Sequence, residues 1–147
     1  MHILESFIPA PVPIPGIKLG LANVITLYGI YYLGFKDTMI IILLRSFLGS
    51  LFAGSLGSLI FSLSGGILSG GLMFILYTYG KNAFSIQSIS IVGGVVHNAG
   101  QLFAAGIVME NLRILSYIPV LTISGVIMGF FVGMIAYYSF NRVYISY

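Results

Sequence analysis

The 147 residues carry six basic and three acidic side chains, a net charge of +3, no cysteine, and 59% hydrophobic residues. An ordinary soluble domain is about 45–50% apolar and about 25% charged. At 6% charged, this chain cannot cover itself with polar groups in water without leaving large apolar patches. Lack of cysteine excludes disulfides, thiolate catalysis and Fe–S ligation, and two histidines alone make a poor zinc site. The scattered basic residues form no stripe of the kind that nucleic acid needs, so no nucleic-acid partner is expected. Neither a cofactor nor a metal is called for. The composition asks for acyl chains as solvent, and the expected fold is all-α: one polytopic membrane helix bundle over residues 1–147.

Residues 1–9 look like the tail of a helix, too short to span. Residues 9–17 alternate proline with apolar residues from Pro9 to Pro15. Proline fixes φ and donates no N–H, so this stretch is extended or polyproline-like. Apolar backbone that is not helical must be buried in protein or line a cavity, which predicts a lid or re-entrant loop folding over the helices. Five spans follow: Lys18 to Leu33, Thr38 to Ala53, Gly57 to Tyr79, Ser85 to Val108, and Ser116 to Phe140. The break near Gly54 carries no charge and rests on length alone, because Thr38 to Tyr79 is too long for one crossing of about 20 residues. Long unbroken apolar runs also exclude a transmembrane barrel, whose strands alternate apolar and polar. With five crossings, Lys36, Lys81 and Arg142 share one side, while Lys18 and Arg113 share the other. The basic excess places the C-terminus in the cytoplasm and the proline-rich segment outside.

Small residues recur at four-residue spacing: Gly125, Gly129 and Gly133; Ser62, Gly66 and Gly70; Ser46, Ser50 and Gly54. In membranes such faces let helix backbones approach closely; docking onto another subunit is the alternative use.

Polar groups inside a span are costly and mark candidate sites. Arg45 keeps its charge in any protein environment, so it either snorkels toward the interface or anchors an anion. His97 and Gln101 are four apart and share a helix face, with Asn98 about 100° round. Three such side chains within five residues point to a ligand or proton site; the structural alternative is interhelical hydrogen bonding at about 0.6–2 kcal/mol per contact. Asn23 and Thr26 are weaker candidates, since Thr can bond a carbonyl one turn back. Lys18 sits at a helix start, where the dipole is also positive; it reads as an anion ligand or as an interface anchor. The substrate-binding candidates are therefore Lys18, Asn23, Arg45, His97, Asn98 and Gln101. No catalytic constellation is present: the acids Glu5, Asp37 and Glu110 all lie near span ends, and no Walker loop occurs.

Several stretches together resemble a known family: Pro13-Ile14-Pro15-Gly16-Ile17-Lys18-Leu19-Gly20-Leu21-Ala22-Asn23, then Leu44-Arg45 with Leu48-Gly49, then Ser62-Leu63-Ser64-Gly65-Gly66, then His97-Asn98 with Gly100-Gln101. They are similar to the Gx transporter family, also labelled heptaprenyl diphosphate synthase component I. That family is in turn similar to the substrate-binding S components of energy-coupling factor transporters. The resemblance implies six helices, capture of a small molecule from outside under a loop joining the first two, and a membrane coupling subunit with two ATPases as partners. The proline-rich segment would be that loop. Only the end of the family's first helix corresponds to residues before Glu5, and in S components that helix helps to dock the coupling subunit. The synthase label finds no support in the residues, because prenyl-chain synthesis needs clustered acids to hold Mg²⁺ and a diphosphate. Three functions compete: a substrate-capture subunit of a transporter; a non-catalytic membrane subunit of isoprenoid diphosphate or quinone metabolism or of membrane electron transfer; and a scaffold whose polar residues are all paired between helices.

Overall fold

The computed structural model describes residues 21–54, 56–80 and 83–145. The expected partial N-terminal helix, the proline-rich segment at 9–17, Lys18 and Lys81 lie outside the described residues. Every regular element among those described is helical. Helix α1 spans Leu21–Tyr28 and runs into a π-turn, Gly29–Leu33; α2 spans Phe35–Ala53, α3 Leu56–Tyr79, and α4 Ile86–Val108; a 3₁₀ turn at Leu112–Tyr117 leads into α5, Ile118–Ile145. Three stretches are long and apolar enough to cross a membrane: Leu56–Tyr79, Ile86–Val108 and Leu112–Phe140. The 19-residue α2 has comparable length but carries Lys36, Asp37 and Arg45.

The turns explain the boundaries. Gly54 adopts φ 63°, and its N–H reaches the carbonyls of Ser50 and Leu51, the left-handed cap that glycine enters without a Cβ penalty. That cap ends α2 inside the uncharged stretch where length alone placed the break. Helix α2 begins at Phe35 rather than Thr38 because Gly34, at φ 88°, starts it directly after the π-turn; Lys36 and Asp37 become its first turn, where the negative charge suits the dipole. At the start of α4, the Ser85 side chain accepts from the Ser88 N–H at 3.2 Å, as a serine cap does. At its end, the Asn111 N–H reaches the Gly106 carbonyl at 3.1 Å and the Glu110 N–H reaches Ile107 at 3.2 Å. Glu110 occupies the left-handed position at φ 49° that glycine usually takes in this motif.

Helices α3, α4 and α5 form the tightest part of the bundle, with α2 against α3 and α1 against α5. Gly125, Gly129 and Gly133 all face α4: a Cβ at Gly129 would stand 2.6 Å from the Ile91 Cα, and one at Gly133 2.7 Å from the Gln87 Cα. The glycine repeat of α5 therefore serves packing within the chain. Burial runs opposite to that of a soluble bundle. Thr26, Thr38, Ser46, Ser69 and Ser90 are fully buried, while α2 turns Ile40, Leu43, Leu44, Phe47, Leu48 and Phe52 outward. Lipid demands this arrangement, since apolar side chains gain nothing by hiding from acyl chains while polar groups must be satisfied internally.

Candidate polar site at the middle of the bundle

The site is built around two glycines of α3. Gly65 leaves room for α4: a Cβ there would meet the His97 carbonyl oxygen at 2.6 Å, the Gln101 Cγ at 2.7 Å and the His97 Nδ1 at 3.2 Å. Gly66, about 100° further round, leaves room for α2: a Cβ would meet the Ile42 Cγ2 at 2.7 Å and the Arg45 Nη2 at 3.4 Å. Arg45 and the His97–Gln101 face thus close on neighbouring sides of one short segment of α3. Neither residue needs a kink or a loop to get there. Each lies mid-helix, and the absent side chains of Gly65 and Gly66 bring the backbones close enough.

Hydroxyls line the same level. The Ser69 hydroxyl donates to the Gly66 carbonyl at 3.2 Å and lies 3.4 Å from the His97 Nδ1. Ser62 donates to Ser46 at 3.0 Å, tying α3 to α2. Ser64 donates to the Gly100 carbonyl at 3.1 Å, tying α3 to α4. Asn23 arrives from α1. Thr26, three residues on, has its Cγ2 3.8 Å from a Cβ built at Gly70. Helices α1 and α3 run the same way, so Asn23 comes level with Gly66. It is 5% exposed, and its Oδ1 is buried without a hydrogen-bond partner among the described residues, a state that costs about 1–3 kcal/mol unless something donates to it.

The structure separates the sequence candidates. Asn23, Arg45, His97 and Gln101 gather at the level of Gly65 and Gly66. The Arg45 Nε and Nη2 are buried, so its head does not snorkel to an interface. Asn98 turns the other way, donating from Nδ2 to the Leu121 carbonyl of α5 at 3.0 Å, which is the interhelical tie weighed above for these polar residues. Thr26 is fully buried beside Gly70. Lys18 lies outside the described residues. Sequence reasoning passed over Ser69 and saw Ser46 and Ser62 only as small residues. Ser62 and Ser69 are seven apart on α3, two turns along one face, and that spacing was the available signal.

This layer offers a permanent cation, an imidazole, two amides and several hydroxyls. Asp37 and Glu110 are exposed at the helix ends. Among the described residues, no group of three or more potential ligands could hold a metal ion. The donors and acceptors suit a polar solute held by hydrogen bonds.

A family model described as heptaprenyl diphosphate synthase component I matches residues 1–139. No curated protein and no solved structure matches the chain. The chain belongs to the heptaprenyl diphosphate synthase component I family.

Proposed function

Proceeding from that membership, we propose that this membrane protein is a non-catalytic substrate-capture subunit, similar to an energy-coupling factor S component, that takes a small polar molecule from the outer face of the cell membrane. Lys18, Asn23, Arg45, His97 and Gln101 bind it, Asn98 holds α4 to α5 beside them, and residues 9–17 close over it. The C-terminus is cytoplasmic, and a membrane coupling subunit with ATPases supplies the energy. The observation that carries this reading is the mid-bundle layer, above all the buried Asn23 oxygen that no group among the described residues satisfies. A scaffold would pair such an atom or replace it with an apolar one.

The test is ligand carry-over. Protein purified in mild detergent, analysed by native mass spectrometry, retains a polar small molecule, and the double replacement His97→Leu with Gln101→Leu loses it while keeping its helical circular dichroism. Retention of the molecule by that folded variant overturns the site. A second reading draws support from the family's description as a synthase component: a membrane subunit that accompanies isoprenoid diphosphate or quinone chemistry without performing it. The only acids, Glu5, Asp37 and Glu110, are dispersed along the chain, so prenyl transfer itself would fall to a partner. Carry-over of a prenyl lipid in place of a polar solute selects this second reading.

A further inference from the structure

We propose that the end of the bundle where α1 and α3 finish and α4 begins holds a second binding site, for a neutral planar ring that carries oxygen on its edge. The site starts with the π-turn. The Gly34 N–H bonds the Gly29 carbonyl at 2.9 Å, which admits one residue more than an α-turn. Gly29 permits it, because a Cβ there would stand 2.9 Å from the Thr38 Oγ1. The π-turn holds Tyr31 over Tyr77, ring centroids 4.3 Å apart and planes 46° from parallel, with Phe140 at 5.2 Å behind it. Tyr31 and Tyr77, together with Phe84 and Tyr137, wall a cavity of about 390 Å³ whose polar edge is Ser85 and Gln87. Small-molecule sites run from about 300 to 1,000 Å³, so a one- or two-ring compound fits.

The lining decides the chemistry. Tilted aromatic walls favour a flat π-system. Aromatic faces also attract cations, but among the described residues no acidic side chain lines this cavity, and the N-terminus of α4 opens into it with Ser85 as cap. The N–H groups of Ile86 and Gln87 precede the first intrahelical bond, so the local dipole is positive and disfavours a cation. The same N–H groups and the Gln87 amide suit a carbonyl or hydroxyl oxygen. A full negative charge finds no basic side chain among the described residues of the lining. Gln87 and His97 are ten residues apart on α4, about 15 Å at the rise of an α-helix, so this cavity is separate from the mid-bundle layer.

Equilibrium dialysis of the detergent-purified protein against 2-naphthol, with empty micelles as the blank, tests the assignment. The expected result is saturable, one-to-one binding above the micelle blank. Tyr137→Ala and Gln87→Leu each weaken it about tenfold, and the His97→Leu, Gln101→Leu variant leaves it unchanged. Tyr137 is 42% exposed, so its truncation spares the core. Binding no greater than the blank overturns the proposal, as does full retention in the Tyr137→Ala protein. Tighter binding of a naphthyl trimethylammonium salt than of 2-naphthol also overturns it, since the site would then be a cation cage.

Discussion

The seam between α4 and α5 and the layer around Gly65 and Gly66 use the same residue type for opposite ends. In the seam, Gly125, Gly129 and Gly133 bring backbone against backbone: a Cβ at Gly125 would stand 2.9 Å from the Val95 Cα. Nothing is left between the two helices. In the layer, the glycines admit long polar side chains as well: Gly65 meets the His97 carbonyl together with the His97 ring and Gln101, and Gly66 meets Ile42 and Arg45. A glycine stripe in a membrane helix thus has two meanings. What separates them is whether the facing helix offers main chain alone or long polar side chains beside it at that level.

Substitutions can break this comparison at either end. The largest effect is expected in the seam. Gly129→Val would drive its side chain into the Ile91 Cα and the Ser90 carbonyl, which stand 2.6 and 2.8 Å from a mere Cβ. Backbone cannot yield as a flexible side chain does, so the loss should reach the upper part of the about 1–3 kcal/mol range for overpacking. Thermal unfolding in detergent measures it, and an unchanged midpoint would mean that the seam is not close-packed.

Next comes the pair Asn98→Leu and His97→Leu. Asn98→Leu removes the bond to the Leu121 carbonyl and His97→Leu the contact with Ser69, and each of these contacts should be worth about 0.6–2 kcal/mol of stability. Only His97→Leu should abolish retention of the carried ligand. If Asn98→Leu abolishes it equally, the division of labour between these neighbours is wrong.

Glu110→Gly belongs to neither region and serves as a control on the fold. The left-handed conformation at φ 49° costs a non-glycine residue about 1–2 kcal/mol, offset in part by the greater freedom that glycine has in the unfolded chain. The variant should be more stable by about 1 kcal/mol, with ligand retention untouched; a lower unfolding midpoint would show that the Glu110 side chain itself holds the turn. The smallest change is expected for Ser62→Ala. It removes the 3.0 Å bond to Ser46 at about 0.6 kcal/mol, the average for such contacts in a membrane. A double-mutant cycle with Ser46→Ala isolates that term, and a coupling energy near zero would show that the two hydroxyls do not depend on each other.

Composition alone determined the solvent of this protein, because so few charged residues can be balanced only by acyl chains. Apolar run length determined the helices to within a few residues, including the uncharged break that the left-handed Gly54 turned out to make. It could not foresee the π-turn at Gly29–Leu33, where the missing side chain of Gly29 leaves room for Thr38 of the next helix. Cost determined which residues to suspect, since an arginine, a histidine and amides at membrane depth must be satisfied internally. Their grouping was beyond the sequence. His97 and Asn98 are adjacent in the chain, yet one faces α3 and the other α5. Asn23, Arg45 and His97 lie on three different helices and reach one level only through the packing around Gly65 and Gly66. Periodicity tells which residues share a face of one helix; which neighbour that face meets, and at what height, is decided by how closely the glycines let the helices approach.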